Sequence, residues 1–319
     1  MMTELINLHY PIKQDIEPMP QVVAMGFFDG IHLGHQAVLQ QAKSEADALG
    51  IPSAILTYAP HPAVVFQKFD QPMQYLTPLS EKLRLLQEIG IDYMYVMNFT
   101  SQLARVKPQA FVDDVLMRLN PVTVVAGFDH LYGPKNSQAD MQHLSSYAQN
   151  RFNTIVVNKV DHDTEKVGSR QIRHLLNNGH VDEANQQLGR IYETAGLVVH
   201  GEARGRELGF PTANIETTIQ QLVPGIGIYA VEILVAGYWR YGMASIGRNV
   251  TFGAKRPITI EINILDFNEE IYGEFVRVRW HHYLRGEVKF DNVETLIQQL
   301  QQDEIVTRTY FKKIKQEMA

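Results

Sequence analysis

Two histidines three residues apart, His32 and His35, stand in the stretch Gly26-Phe-Phe-Asp-Gly-Ile-His-Leu-Gly-His35, which also holds Phe27, Asp29, Gly30 and Gly34. At the start of a helix that spacing puts both imidazoles on one face, where free backbone N–H groups and the helix dipole already favour an anion. The chemistry this suits is the gripping and polarising of a polyphosphate. Taken singly, each residue has an ordinary role: Asp29 as a helix cap, the glycines as turn formers, the histidines as surface residues. Three glycines within nine residues make an expensive ordinary turn, so the set reads as a phosphate site. A zinc site on Asp29, His32 and His35 ranks behind it, because no cysteine and no His-x-x-x-His pair completes a ligand shell.

A second stretch, His200-Gly-Glu-Ala-Arg-Gly-Arg-Glu-Leu-Gly-Phe-Pro-Thr-Ala-Asn214, carries Gly201, Gly205 and Gly209 with Arg204 and Arg206. A glycine-rich flap with two arginines can close over phosphates, while Thr212 and Asn214 offer hard oxygens to Mg²⁺. The same residues also make a plain β connection.

Elements must position these stretches. Apolar runs at Val22–Met25, Ser53–Tyr58, Tyr93–Met97, Val122–Ala126 and Thr154–Val157 alternate with helical spacing at Leu79, Leu83 and Leu86 and at Val112, Val115, Leu116 and Leu119. Strict alternation predicts an α/β domain with a doubly wound parallel sheet. Ligands then bind beyond the carboxyl ends of the strands, where Gly26–His35, Thr57-Tyr-Ala-Pro-His-Pro62 and Gly127–His130 fall. Ser169–Arg173 leads into a helix, Val181–Leu188 makes a second, and Gly189-Arg190 forms a joint. From Tyr192 the pattern is β. Ile258, Ile260, Ile262 and Ile264 alternate with Thr259, Glu261 and Asn263, so Glu261 faces away from the isoleucines. The expectation is a small antiparallel β-barrel followed by terminal helices, one around Val293–Leu300 and a second, basic one over Ile305–Lys315.

The 319 residues, 45% hydrophobic and 20% charged, suit about two soluble domains. With no cysteine, disulfides and thiolate chemistry are excluded. The N-terminus lacks a basic segment leading into an apolar core, and no apolar run approaches ~18 residues, so a cytoplasmic protein without membrane association is expected. A net charge of −6 argues against a nucleic-acid surface.

Gly26–His35 resembles the nucleotidyltransferase signature, and Gly209-Phe-Pro-Thr-Ala-Asn214 resembles the flavokinase signature, in the order found in bacterial bifunctional riboflavin kinase/FAD synthetases. The likeness extends through Pro60-His-Pro62, Leu188-Gly-Arg190, Gly227-Ile-Tyr-Ala230, Leu265-Asp-Phe267, Tyr272-Gly273 and Tyr283–Phe290. It implies an FMN adenylyltransferase domain over 1–187, nucleotidyltransferase-like, and a riboflavin kinase domain over 188–319. The substrates would be riboflavin, FMN and ATP, with Mg²⁺ as cofactor. His32 and His35 would stabilise phosphate charge, aided by Gly26, Phe27, Asp29, Gly30, Gly34, Ser169 and Arg173. Gly201, Gly205, Arg206 and Gly209 would hold the second ATP, Thr212 and Asn214 would bind the metal, and Glu261 would be the general base. Flavin contacts fall to Asp129 and Tyr132 in the first domain and to Arg285 and Phe290 in the second.

Departures from the family cluster in the first domain. Gly168-Ser-Arg-Gln-Ile-Arg173 lacks two usual hydroxyls, for which Arg170 offers a charged fork. His130 replaces a usual Phe, and Asn136-Ser-Gln-Ala-Asp140 lacks a glycine before the aspartate. In the second domain Asn249-Val-Thr-Phe252 has Val250 for a proline. The rival readings are a riboflavin kinase with an inert structural or regulatory first module, a nucleotide- or flavin-responsive binding protein without turnover, and a metal-dependent hydrolase.

Overall fold

Val22, Val23, Ala24 and Met25 are all buried, which a strand achieves only when both faces of its sheet are covered. In the computed structural model, which describes residues 2–16, 19–134, 137–159, 161–162, 165–202, 204–248 and 258–317, they lie in the second strand. Contacts divide the chain into two compact units, Met1–Ser169 and Arg170–Ala319.

The first unit runs β1 (Glu4–His9), β2 (Gln21–Met25), α1 (Leu33–Leu49), β3 (Ser53–Ala59), α2 (Ala63–Phe66), α3 (Leu79–Ile89), β4 (Tyr93–Asn98), α4 (Pro108–Phe111), β5 (Pro121–Gly127), α5 (Leu144–Ala148) and β6 (Asn153–Val157). The apolar residues Val112–Leu119 continue α4 through one wide turn and one tight turn. The sheet is wholly parallel, in the order β1-β4-β3-β2-β5-β6. Successive strand residues feed opposite faces: Val23, Met25 and Val124 enter one core, Val22, Ala24 and Val125 the other. From β2 the chain winds through β3 to β4 on one side and then crosses to β5 on the other. A crevice therefore opens above β2 and β5 at the switch in strand order, where ligands bind in such sheets.

The five strands foreseen from sequence are present. β1 was not foreseen, since Glu4–His9 buries only Leu8 fully and shows no sustained alternation; it is an edge strand paired to β4. A two-residue pair, β7 (Asp161–His162) with β8 (Glu165–Lys166), follows β6.

The second unit takes up α6 (Ser169–Asn177) from its second residue, then α7 (Val181–Leu188), β9 (Tyr192–Val199), α8 (Arg204–Glu207), β10 (Ala213–Thr217), β11 (Gly227–Val235), β12 (Tyr238–Gly247), β13 (Thr259–Ile264), β14 (Phe275–Arg285) and α9 (Val293–Glu317). The six strands close into an antiparallel barrel in the order β10-β13-β12-β11-β14-β9. Closure leaves no exposed edge. Its interior holds Tyr192, Thr194, Val231, Ile233, Val278 and Trp280; the Trp280 indole donates to Thr194 Oγ1 at 3.0 Å and the Tyr192 hydroxyl to the Leu222 carbonyl at 2.7 Å, so both polar edges are satisfied.

The C-terminal pattern folds as a single 25-residue helix rather than two. The expected break falls at Asp303, a residue whose buried carboxylate instead faces the barrel and holds Arg285, while Thr307 Oγ1 donates to the Asp303 carbonyl. Phe311 stacks on Tyr241 at 4.1 Å, which fastens the far half of the helix.

Candidate active sites

The loop from Gly26 to His32 joins β2 to α1 above the switch point. Phe28, Gly30 and Ile31 have φ of 53°, 88° and 39°. Only Gly30 takes such a value without penalty; for the other two the left-handed region costs about 1–3 kcal/mol each, so the surroundings must over-determine the turn. They do. The Asp29 carboxylate, 3% exposed, accepts from the Thr77 backbone N–H at 3.1 Å, and Thr77 Oγ1 accepts from Gly30 N at 2.8 Å. The Phe27 carbonyl accepts from Lys82 Nζ at 2.6 Å and Thr57 Oγ1 at 3.0 Å, and the Asp29 carbonyl accepts from Ser169 Oγ at 2.8 Å. A Cβ on Gly26 would come within 2.8 Å of the buried Phe28 ring.

His32, and not Asp29, caps α1. Its Nδ1 accepts from the His35 backbone N–H at 3.3 Å, which places the proton of the neutral ring on Nε2. The two imidazoles stack at 3.7 Å with planes 17° apart, and Gly34 leaves room for the His32 ring, which stands 3.2 Å from where a Cβ would be. The sequence thus brings two nitrogen-rich rings side by side at a helix N-terminus, and with Gly26, Phe27, Asp29, Gly30, Gly34 and Ser169 they form one constellation. His61 meets the Phe27 ring edge-on at 4.4 Å.

Across the crevice, Asp129 is exposed just past β5. Tyr132 is buried against Phe111, and its hydroxyl has no hydrogen-bond partner among the described residues. Burial pushes the His130 imidazole down to about 4, opposed by Asp129, so at neutral pH the ring is uncharged. That accounts for its standing where an aromatic residue is usual. Ala139 is buried with its methyl against Gly133, so the missing glycine there is filled by packing. Open space surrounds Gly168, and Arg170 is exposed. Arg173, later on α6, belongs to the second unit. Asn136 and Asn249–Phe252 lie outside the described residues, as does the Arg204 side chain.

In the second unit Glu261 projects from the outer side of β13. Its register partners are Asn214 on β10 and Ser245 on β12, and direct partners in antiparallel strands share a face. The carboxylate accepts from Thr259 Oγ1 at 3.3 Å and lies 3.5 Å from Thr212 Oγ1. A cavity of about 370 Å³ opens at the barrel mouth, lined by Val198, Arg206, Thr212, Ile262, Phe267 and Tyr272 among others. Thr212 therefore borders both the cavity and Glu261. The glycine-rich segment is not an open flap throughout, since Arg204–Glu207 form one helical turn; Gly205 there packs on the Phe210 carbonyl, and Gly209 has φ of 82°. Arg206 makes an exposed 3.4 Å pair with Glu270, an interaction of small worth that an incoming phosphate can replace.

A Cβ on Gly201 would sit 2.2–2.5 Å from the Asn214 amide. Gly201→Ala is expected to displace Asn214 and raise the Michaelis constant for the kinase-side nucleotide by about tenfold, roughly the worth of one hydrogen bond to a charged group. Initial rates against ATP concentration measure it, and an unchanged constant would separate Asn214 from the site.

Arg285 is committed to a bidentate pair with Asp303 at 2.6–2.9 Å and lies 6.0 Å from the Phe290 ring. Sequence reasoning placed Thr57 in a stretch at the ligand end of the sheet without giving it a role, and it missed Thr77, Lys82 and Ser245. Lys82 alone left a signal, a cation on the apolar stripe of Leu79, Leu83 and Leu86. The zinc reading is not supported, since among the described residues no group of three or more His, Asp or Glu side chains is arranged to hold a metal ion.

The sequence profile of FAD synthetase matches residues 14–171, and that of riboflavin kinase matches 188–311. The chain is 46% identical over 310 residues to the bifunctional riboflavin kinase/FMN adenylyltransferase of Listeria monocytogenes, spanning 97% of this chain and 98% of that protein. It is 37% identical to the protein so named in Bacillus subtilis, over 96% and 97% of the two chains, and 31% identical to that of Escherichia coli K12, over 91% and 92%. A crystal structure named a macrolide-efflux protein, from Streptococcus pneumoniae, superposes with a TM-score of 0.87 at 34% identity, covering 95% of this chain and 99% of that one. Among the described residues no helix is long and apolar enough to cross a membrane.

Proposed function

We propose, from the premise that the chain belongs to the bifunctional riboflavin kinase/FMN adenylyltransferase family, an assignment of roles to its residues. The chain phosphorylates riboflavin to FMN with ATP and adenylylates FMN to FAD. The two activities correspond to the two family matches, and a kinase carrying an inert first module is not favoured. For the active halves we keep the division at 187/188.

In adenylyl transfer an oxygen of the FMN phosphate attacks the α-phosphorus of ATP, and the bond to the pyrophosphate oxygen breaks. No protein nucleophile is required, so rate comes from positioning and from donors aimed at developing charge. His32 Nε2–H, His35 and the first N–H groups of α1 are those donors, with Gly30 and Gly34 letting the backbone approach. Asp129 and Tyr132 flank the flavin side. The carrying observation is the Ser169 bond to the Asp29 carbonyl, which leaves the turn complete despite the departures at Gly168 and Arg170.

In phosphoryl transfer Glu261 takes the proton of the riboflavin hydroxyl as that oxygen bonds to the γ-phosphorus and ADP leaves. Arg206, Gly201, Gly205 and Gly209 border the nucleotide, while Arg285 and Phe290 support the flavin side through α9. The Thr212 hydroxyl and the Asn214 amide oxygen are hard-oxygen donors of the kind Mg²⁺ takes, and would hold it beside Glu261. Bound there, Mg²⁺ supplies charge neutralisation at the phosphate oxygens. The Thr259 and Thr212 hydroxyls hold the Glu261 carboxylate in orientation.

Purified protein given riboflavin, ATP and Mg²⁺ is expected to accumulate FMN and then FAD. FMN without FAD, and no pyrophosphate released from supplied FMN, would overturn the adenylyltransferase roles.

A further inference from the structure

Lys82 is 3% exposed, a burial lysine almost never reaches unless paired. It stands in the first turn of α3, where the positive end of the helix dipole disfavours a cation, on a stripe otherwise filled by Leu79, Leu83 and Leu86. Among the described residues no direct ion pair neutralises it: the ammonium donates to the Phe27 carbonyl at 2.6 Å and to Thr57 Oγ1 at 3.2 Å, and lies 4.6 Å from the centre of the Phe27 ring. A leucine at this position would fill the stripe with no ammonium to desolvate, and the Phe27 carbonyl would keep Thr57 Oγ1 as a donor. A local choice this unfavourable is expected where function, and not stability, has set it.

We propose that Lys82 is a positioning residue for adenylyl transfer, holding the Phe27 carbonyl and with it the Gly26–His32 turn from beneath, and adding a desolvated positive charge under the place where the ATP phosphates bind. The proposal rests on the adenylyltransferase reading of this unit. Lys82 does not touch substrate in this arrangement; it acts through the backbone between Gly26 and Asp29. The charge belongs there for a simple reason. A polyphosphate brought onto the turn lies across the Phe27–Asp29 backbone from the buried ammonium, so cation and ligand attract each other through a medium of low dielectric.

The charged groups around the ammonium are few. Asp29 faces it from the loop; β3 contributes the neutral Thr57; His61 and Tyr75 reach the Phe27 ring at 4.4 and 6.0 Å; and on its own helix Glu81 is held by Arg84. Burial pushes the ammonium down to about 8, with Asp29 opposing. In the free enzyme the proton is therefore lost as pH rises through about 8, while bound phosphate retains it to higher pH. ATP binding then takes up a proton and weakens with rising pH.

The test uses the full chain, with FAD formation from supplied FMN and FMN formation from riboflavin measured side by side. Between pH 7.5 and 9.5 the substrate phosphates are already ionised, their second pKa lying near ~6. In the parent, the Michaelis constant for ATP in FAD formation is expected to rise above pH 8, by at most about tenfold per pH unit, toward the constant of the uncharged form, with turnover at saturation little changed. Lys82→Arg, whose guanidinium keeps its proton, should abolish that rise. Lys82→Met should carry the high constant at every pH while melting at or above the parent temperature and making FMN at the parent rate. The melting result separates positioning from structural support, since a merely structural lysine would lower the transition on removal. If Arg does not fit and that variant melts early, the Met variant and the parent pH profile decide. Lys82→Met with the parent constant for ATP, or a parent constant flat to pH 9.5, overturns the proposal. His35→Ala run alongside distinguishes the failures: if it too leaves FAD formation intact, the assignment of the site is at fault and not the lysine.

Discussion

Glu261→Gln is expected to slow riboflavin phosphorylation by about 10²–10⁴-fold, the usual worth of a general base, and to leave FMN adenylylation at the parent rate. The amide keeps the volume of the carboxylate; its oxygen can accept from one of the Thr259 and Thr212 hydroxyls while its NH2 donates to the other, so the rung Asn214–Glu261–Ser245 stays intact. What it cannot do is take the proton of the riboflavin hydroxyl. The prediction is sharp because little else at this rung can substitute: Asn214, Ser245 and Thr259 are not basic. Coupled assays for ADP and for pyrophosphate on the same preparation read the two activities. A Gln variant that stays folded and phosphorylates riboflavin within a few-fold of the parent would remove Glu261 from the chemistry.

The second large effect belongs to His35→Ala, expected to lower FAD formation from supplied FMN by about 10²–10³-fold, as loss of a preorganised donor does, with FMN formation unchanged. The substitution deletes a ring stacked 3.7 Å from His32 and set edge-on to Phe28 at 5.4 Å. It spares the cap, because His32 Nδ1 accepts from the backbone of residue 35 and not from its side chain. The helix start survives while its donor set is halved. Release of pyrophosphate measures the result; equal loss of both activities with an unchanged circular dichroism spectrum would show that the two sites are coupled or wrongly assigned.

The architecture was legible where periodicity is strong. Continuous apolar runs marked β2 to β6, alternating isoleucines marked β13, and both signature stretches landed at strand ends or barrel mouth. Glu4–His9 was not legible, because an edge strand buries too little to print a pattern. Nor was the continuity of α9 through Asp303, whose apparent break is a buried carboxylate satisfied by an arginine 18 residues earlier in sequence. The sites were legible as residue types and not as contacts. Nothing in the local sequence says that Thr77 holds Asp29 and Gly30 across almost fifty positions, or that His32 takes the capping role for which Asp29 was the natural candidate. Arg285 shows the opposite limit: its guanidinium is spent on Asp303, a partner that its residue type does not announce.

The hydrogen bond from Ser169 to the Asp29 carbonyl spans 140 residues. On the ribosome, residues 26–35 emerge early, yet the turn they form remains unfinished until the last residue of the unit has been made. A parallel sheet with β1 paired to β4 and β2 flanked by β3 and β5 has the same property: few of its contacts are local, and loop closure must precede their reward. Adenylyl transfer competence is thus a late event in the life of the nascent chain. Synonymous changes that alter elongation rate between residues 35 and 169 are then expected to alter yield of the first activity more than that of the second.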